Sequence, residues 1–193
     1  MVDYGRKRFN LNIKYGDFLK TKIEEKFDAM AFRLSIEHMK NPLSYIKKAK
    51  NVVKNGGILF ITTLNVDSFP AKVCGKAWEW MTPPAHLFFF SPKTIKIFLE
   101  KENFKILKIN TRRGDASGLF FSIAAAIAFR FGFWNFLKKV FVREKVENKN
   151  NLRYNYFSFL KLSEMLNIPF LPLEFFLNTI NKSPEMIIFA KKI

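Results

Sequence analysis

The chain has 193 residues, of which 49% are hydrophobic, and it carries a formal net charge of +17. This length suits one domain with at most an added subdomain, and the apolar content excludes global disorder. The single cysteine, Cys74, excludes a disulfide framework and fits a reducing cytoplasm. The lysines are spread along the chain and often lie beside glutamates, so we expect no specific nucleic-acid binding.

Two strands are predicted near the start of the chain. The segment LNIKYGDF (11–18) alternates apolar and polar residues, turns at Gly16 and places Asp17 at its carboxyl end. The segment FDAMAFRL (27–34) is more evenly apolar, which is typical of a strand covered on both faces.

A helix and a third strand follow. Asn41 is a suitable N-cap, Pro42 fits the first helical turn, and Gly56 is expected just beyond the helix end. The segment ILFITTLN (58–65) then predicts a buried strand. Strand, helix and strand with short connections indicate a right-handed βαβ unit in a parallel sheet.

The pattern repeats once more. Ser91 and Pro92 begin a helix, FKILKINT (104–111) is the next strand, and EMIIFAKKI (185–193) is a terminal strand. Alternating strands and helices predict an open α/β sheet, in which ligands bind beyond the carboxyl ends of the strands. That edge holds Asp17, the run from Arg33 to His38, and the run from Thr63 to Asn65.

These motifs resemble a known family. The order and spacing of GDF, FDAMAFRLSIEHMKNP, KNGGILFITTLN and PPAHLFFF are similar to those of class I S-adenosylmethionine-dependent methyltransferases. The subgroup includes ubiquinone-biosynthesis O-methyltransferases and cell-envelope methyltransferases. The resemblance implies a partial Rossmann-like sheet of strands 3 to 7 whose last strand is antiparallel. It also implies S-adenosyl-L-methionine as cofactor and methyl transfer to a hydroxyl or other nucleophile of a small or lipid-linked acceptor.

The resemblance assigns four residues to the cofactor. Asp17 and Phe18 fall where the family places residues beside the adenine, and Arg33 and Leu34 fall where the chain passes under the methionine part. The family usually has an aromatic residue, a histidine or a small residue at this point, so Arg33 is a departure. The alternative for Asp17 is a turn-forming aspartate after Gly16.

Three residues are expected on the acceptor side: Glu37, Asn65 and Pro84. His86 is the first candidate for a catalytic base, and His38 is the second. An imidazole can accept a proton near neutral pH, and the protein mainly positions the two reactants. The alternative for each histidine is a structural hydrogen bond, and for Glu37 and His38 a brace of the loop.

A metal site is not predicted. In some relatives a second glutamate, three residues before the Glu37–His38 pair, joins that pair to hold a divalent cation. This chain has Leu34 at that position, and two ligands without a third make a weak site.

The glycine-rich loop of the family is missing, because the eight glycines include no GxGxG pattern. The family sheet has the order 3-2-1-4-5-7-6, so a chain without strands 1 and 2 leaves its strand 4 with an open edge. We therefore expect a truncated or split form that pairs with an N-terminal partner segment or with itself. The alternatives are a non-catalytic remnant that needs a partner segment and, ranked third, a basic nucleic-acid-binding module.

Three regions are expected: residues 1–111 and 185–193 form the α/β domain, and 112–184 form a Phe-rich helical insert. Within the insert, SGLFFSIAAAIAFRFGFWNFLKK (117–139) has apolar residues at helical spacing, but its uncharged run is shorter than the roughly 20 residues of a spanning helix. Two interpretations stay open. One is a helix packed over the sheet. The other is a lid or interfacial helix, which would add peripheral contact at the inner face of the membrane to a cytoplasmic location.

Overall fold

A computed structural model describes residues 2–113, 118–132 and 165–193. The helices are α1 (Val2–Phe9), α2 (Pro42–Val52), α3 (Phe69–Cys74), α4 (Pro92–Lys101), α5 (Gly118–Arg130) and α6 (Leu171–Thr179). The strands are β1 (Phe27–Arg33), β2 (Val53–Leu64), β3 (Phe104–Arg112) and β4 (Glu185–Lys192). Short 3₁₀ helices cover Ile36–His38, Gly75–Ala77 and Ile168–Phe170.

The four strands form one mixed sheet in the order β1-β2-β4-β3. Strands β1 and β2 are parallel, and β4 lies antiparallel between β2 and β3. The expected α/β sheet with an antiparallel last strand is therefore confirmed. The parallel register pairs Arg33 with Thr62, so the carboxyl ends of β1 and β2 lie side by side.

Helices α2 and α4 cover one face of this sheet and enclose the main core. Asn41 caps α2 through its side-chain oxygen, and Ser91 and Thr94 form a capping box at the start of α4, as the sequence predicts. The fully buried residues at the centre of this core come from both helices and from β2, β3 and β4: Ile46, Leu59, Ile61, Ile95, Leu99, Phe104, Met186 and Ile188.

Two strand predictions are wrong. Residues 10–15 are irregular and Asp17 begins a turn, because the described residues offer this segment no neighbouring strand with which to exchange hydrogen bonds. Strand β1 forms as expected but is not covered on both faces, since five of its seven residues are exposed. One long side of β1 also has no strand partner among the described residues.

The end of α2 also differs from the prediction. The helix ends at Val52, and the N–H of Val53 closes it by donating to the carbonyl of Ala49, so Gly56 is not the residue after the helix. Gly56 instead lies inside the irregular start of β2 with a φ of +77°. Its neighbour Gly57 passes so close to β1 that an added Cβ would lie 2.8 Å from the Asp28 carbonyl oxygen.

Helix α5 lies in the region expected to form the insert. Of the apolar residues that the segment 117–139 places at helical spacing, Ile127 and Phe131 are exposed, whereas Leu119, Ser122 and Ala128 are buried. The helix packs against α3 and the Gly75–Ala77 turn because small residues allow close approach there. Residues 133–164, with Trp134, Leu137 and the polar stretch at 143–155, lie outside the described residues. Within residues 2–113, 118–132 and 165–193, no helix has the length and apolarity needed to cross a bilayer.

Candidate functional site

The carboxyl end of β1 makes a strained turn at the sheet edge. Leu34 has a φ of +42°, which a branched, non-glycine residue adopts rarely. Its N–H donates to the Thr62 carbonyl at 3.0 Å and lies 3.2 Å from the Thr62 hydroxyl. These bonds hold the strained turn in place against β2, and strain of this kind is concentrated at functional sites.

Glu37 lies directly after this turn and is buried, with 1% of its surface exposed. Its Oε2 accepts a hydrogen bond from the Thr63 hydroxyl at 2.9 Å. Its backbone carbonyl accepts the N–H groups of Leu87 and Phe88 at 2.8 and 3.1 Å. Through this one residue, the end of β1 is joined both to β2 and to the segment that carries His86.

His38 projects from the same 3₁₀ turn, and its side chain is about half exposed. Its Nδ1 lies 2.7 Å from the carbonyl oxygen of Ala85. Its Nε2 lies 3.9 Å from Oε1 of Glu37, which is too far for a hydrogen bond. The imidazole is thus held by its Nδ1 side.

His86 meets His38 at this edge, and the two ring centroids are 4.7 Å apart. His86 is buried, and its Nδ1 lies 2.7 Å from the Trp80 carbonyl oxygen and 3.0 Å from the Thr82 hydroxyl. The rings of Trp80 and Phe89 pack around it, with centroids 5.9 and 6.3 Å away.

The carbonyl contacts fix the tautomer of both histidines. A carbonyl oxygen only accepts hydrogen bonds, so Nδ1 carries the proton in His38 and in His86. In a neutral imidazole, Nε2 then keeps its lone pair. Two proton-accepting nitrogens and the carboxylate of Glu37 are therefore gathered at the carboxyl edge of the sheet. The sequence motifs predict all three residues and place Thr63 on the same edge, but they indicate neither the contacts among these residues nor the supporting role of Thr82.

The two residues expected beside adenine have different surroundings. Asp17 is exposed, and its Oδ1 accepts the N–H of Leu19 at 2.9 Å, as in the turn-forming alternative. Phe18 packs on the core, with its ring centroid 6.1 Å from that of Phe32 and 6.0 Å from that of Tyr45. Phe18 therefore anchors the turn that presents Asp17 to solvent.

The remaining predicted site residues are more dispersed. Arg33 is exposed at the end of β1, and Pro84 is exposed one residue before the Ala85 carbonyl that holds His38. Asn65 is fully buried; its Nδ2 donates to the Ser183 carbonyl at 3.0 Å and its Oδ1 accepts the N–H of Asp67 at 3.0 Å. Both ends of the Asn65 amide are thus bonded within the protein, which favours a bracing role.

A second polar cluster lies between α3 and α5 and carries no signal in the sequence. Both carboxylate oxygens of Glu79 accept the Ser122 hydroxyl, at 2.8 and 2.9 Å. Burial raises the pKa of Glu79 above its ordinary value, although the Ser122 hydrogen bond acts in the opposite direction. Burial, together with the charge of Glu79, raises the pKa of the Cys74 thiol to about 11, so this thiol is not a reactive nucleophile.

Comparison with curated proteins gives relatives in one enzyme group. A ubiquinone biosynthesis O-methyltransferase of Glaesserella parasuis is 42% identical over 64 residues, covering 29% of this chain and 27% of that protein. The ubiquinone biosynthesis O-methyltransferase of Dinoroseobacter shibae is 30% identical over 83 residues, covering 40% of this chain and 34% of the relative. The chain therefore matches about a third or less of the length of these relatives.

Solved structures share the fold at low identity. A S-adenosylmethionine-dependent methyltransferase from Archaeoglobus fulgidus superposes with a TM-score of 0.51 at 16% identity, covering 100% of this chain and 72% of that chain. The family model described as a methyltransferase domain matches residues 5–109, which is more than half of the 193 residues. Its match includes Asp17, the strained turn at Leu34 and the Glu37–His38–His86 cluster. The chain belongs to this family, within the class I S-adenosylmethionine-dependent methyltransferases.

Proposed function

We propose that this chain transfers the methyl group of S-adenosyl-L-methionine to a hydroxyl or other nucleophile of a small or lipid-linked acceptor. The observation that carries the proposal is the meeting of Glu37, His38 and His86 at the carboxyl edge of the sheet, next to the strained turn at Leu34. In open α/β sheets this edge is where ligands bind. The O-methyltransferase relatives favour oxygen as the methylated atom.

The reaction assigns a role to each side of the edge. The bond between sulfur and the methyl carbon breaks as the bond between the acceptor oxygen and that carbon forms. The electron pair stays on sulfur, and the acceptor proton passes to Nε2 of His86, or of His38 in the second assignment. Asp17, Phe18, Arg33 and Leu34 form the cofactor side, while Glu37 and Pro84 border the acceptor. Asn65 supports the acceptor side indirectly through its buried hydrogen bonds.

A further part of the proposal is a partner segment on the open edge of β1. The exposed side chains of Phe27, Ala29 and Ala31 support it, as does the half-exposed second face of the sheet around Phe60 and Phe189. A glycine-rich strand, loop and helix added at this edge would pair with β1 and supply the glycine-rich cofactor loop of the family. Self-association through β1 is the alternative use of the same edge.

The experiment measures transfer of tritium from S-adenosyl-[methyl-³H]-methionine to a panel of phenolic and aliphatic hydroxyl acceptors. The protein is the chain fused behind a glycine-rich strand, loop and helix of the kind that begins the family's sheet. Replacing a general base costs about 10²- to 10⁴-fold in rate, so His86→Gln should lower kcat by at least a hundredfold while the affinity for the cofactor is kept. Unchanged kcat in both His86→Gln and His38→Gln would reject the base assignment. A folded fusion that methylates no acceptor and binds no cofactor would favour the non-catalytic remnant.

Two location proposals accompany this function. The chain is proposed to be cytoplasmic, and the exposure of Ile127 in α5 and of Phe131 in the turn after it supports an interfacial role over a packed one. We expect the chain to bind vesicles of anionic lipid, and we expect Phe131→Ser and added salt to weaken that binding.

Nucleic-acid binding is the third-ranked function. Any such binding should be weak, indifferent to sequence and lost at moderate salt.

A further inference from the structure

We propose that Glu79 and Ser122 form a latch that holds helix α5 closed against the segment carrying His86, and that the latch opens when Glu79 becomes ionised. Glu79 lies between the Gly75–Ala77 turn and Trp80, whose carbonyl oxygen lies 2.7 Å from Nδ1 of His86. Both carboxylate oxygens of Glu79 accept the Ser122 hydroxyl, at 2.8 and 2.9 Å. One residue thus connects α5 to the segment that orients the histidine.

The start of α5 is held mainly by polar contacts. Of the α5 side chains that the structure describes, only Leu119, Ser122 and Ala128 are buried, and two of these are small. The N–H of Leu119 donates to Oε1 of Glu174 at 2.7 Å, and the Ser122 carbonyl accepts the Cys74 thiol at 3.0 Å. Because these side chains bury little apolar area, the hydrogen bonds contribute a large share of the free energy that keeps the helix docked.

The docked helix covers an aromatic cluster beside His86. Ala126 of α5 packs on the buried cluster that contains Trp78. The ring centroids of Trp78 and Phe89 are 6.5 Å apart, and that of Phe89 is 6.3 Å from the His86 ring. Trp80 lies on the same ring at 5.9 Å. Opening of α5 therefore uncovers the aromatic side chains that surround His86.

The charge state of Glu79 decides whether the closed latch is stable. Burial raises the pKa of Glu79 above its ordinary value of 4.5, although the Ser122 hydroxyl acts in the opposite direction. The closed latch therefore binds this proton more tightly than an open latch, in which the carboxyl group meets water. The stability that the latch contributes is complete below about pH 4.5 and is lost as the pH rises through the pKa of the closed state.

The other ionisable groups around Glu79 can be separated from it. Burial, together with the charge of Glu79, raises the pKa of Cys74 on α3 to about 11, far above this range. Glu174 of α6 and Arg113 after β3 line the same small cavity, and Nε of Arg113 lies 3.5 Å from Oε2 of Glu174 in an ion pair. Lys76 of the adjacent turn is exposed to solvent. Glu174 is thus the neighbour that an experiment has to control.

The role of the latch rests on the proposed function, but its opening does not. If His86 is the base of a methyl transfer, a rise in pH opens the cover beside the base and admits solvent and acceptor to its aromatic surroundings. The opening itself is a local change in α5 that can be measured without cofactor or acceptor.

The experiment follows hydrogen–deuterium exchange of the 193-residue chain by mass spectrometry, between about pH 4 and about pH 8. The reference is Glu79→Gln at the same pH, which keeps the shape of the side chain, cannot ionise and cancels the pH dependence of the chemical exchange rate. Relative to this variant, exchange of the α5 amides in the unaltered chain should accelerate above pH 4.5, by at most about tenfold per pH unit, and then level off. Peptides from β2 and β4 should show no such difference.

Three further variants make the test specific. Glu174→Gln keeps an oxygen that accepts the Leu119 N–H, and Glu100→Gln replaces an exposed carboxylate of α4. Both should retain the pH-dependent acceleration in α5, because Glu79 is still present. Ser122→Ala removes the hydroxyl of the latch and should accelerate exchange of α5 even at the lowest pH. This variant tests the latch independently if circular dichroism shows that Glu79→Gln does not fold.

Four results would overturn the proposal. In the first, the exchange of α5 keeps the same ratio to that of Glu79→Gln at every pH, or slows as the pH rises. In the second, Ser122→Ala leaves the exchange of α5 unchanged. In the third, Glu174→Gln abolishes the pH dependence, and in the fourth β2 and β4 accelerate together with α5, as in global unfolding. None of these results depends on methyl transfer, so the proposed function is tested separately.

Discussion

The imidazole rings of His38 and His86, the only two histidines of the chain, lie with their centroids 4.7 Å apart. One follows β1 and the other precedes α4, and the carbonyl of Glu37 joins the two segments by accepting the N–H groups of Leu87 and Phe88. Glu37 is in turn held by Thr63. The site therefore depends on a chain of buried hydrogen bonds that ends on β2.

The Thr63 hydroxyl is the most direct test of that chain of bonds. Thr63→Val keeps the shape of the side chain but leaves a buried carboxylate oxygen of Glu37 without its donor, so the free energy of unfolding should fall by about 1–3 kcal/mol. Thr63→Ser keeps the hydroxyl and should cost less than Thr63→Val. Denaturant unfolding of both variants measures the difference. Equal losses in the two variants would mean that the hydroxyl contributes nothing.

Asp17 and Phe18 are neighbours with separable roles. Phe18→Ala removes a ring that packs on Phe32 and Tyr45, so we expect a loss of about 2 kcal/mol in the free energy of unfolding. Asp17→Ala removes one exposed hydrogen bond and should cost about 1 kcal/mol or less. Chemical denaturation measures the free energy of unfolding of both variants. A larger loss in Asp17→Ala than in Phe18→Ala would show that the turn, not the ring, holds this segment.

Glu79 should make stability depend on pH in a predictable direction. Its pKa is raised above the ordinary value of 4.5 mainly by burial, so the folded chain binds this proton more tightly than the unfolded chain does. The stability gained is complete below about pH 4.5 and is lost as the pH rises through the folded-state pKa. The free energy of unfolding relative to Glu79→Gln should therefore fall as the pH rises above 4.5 and then level off.

The groups around Glu79 do not obscure this window. Burial raises the pKa of Cys74 to about 11, which is far above this window, and Ser122 does not titrate. Glu174 lines the same small cavity, so the comparison is made in a Glu174→Gln background. Glu100→Gln on the exposed side of α4 is the control, because it replaces a carboxylate whose ion pair with Lys96 is exposed to solvent. If the free energy of unfolding of the unaltered chain instead rises relative to that of Glu79→Gln as the pH increases, the assignment is wrong.

The open edge of β1 predicts self-association. Ala29 and Ala31 are exposed on a strand whose second side has no partner among the described residues. The chain alone should elute from size exclusion as an oligomer or melt without a sharp transition, and Ala29→Lys with Ala31→Lys should shift it toward monomer. A soluble, sharply melting monomer would show that the edge is closed in another way.

Sequence reasoning placed the strands β1, β2, β3 and β4 and the starts of α2 and α4 well, because caps and apolar runs are local signals. It misplaced the end of α2. Gly56 has the positive φ that is typical of the residue after a helix, but it lies in the irregular first part of β2. It also treated residues 11–18 as a strand, although strand formation depends on a neighbour that local pattern cannot supply.

The site was harder to predict than the fold. Resemblance gave Glu37, His38 and His86 separately, but the contact between the histidines depends on backbone bonds from Leu87 and Phe88 to Glu37. Long-range contacts of this kind leave no trace in the spacing of one sequence.

Calorimetry with S-adenosyl-L-methionine tests the central claim, that this edge of the sheet is the cofactor and acceptor side of a methyltransferase. The chain fused behind a glycine-rich strand, loop and helix should melt cooperatively and bind the cofactor, whereas the chain alone should bind it far more weakly. In the fusion, Asp17→Ala should weaken binding severalfold while the protein still melts cooperatively. A fusion that melts cooperatively and binds no cofactor, or one whose affinity Asp17→Ala leaves unchanged, would contradict the account.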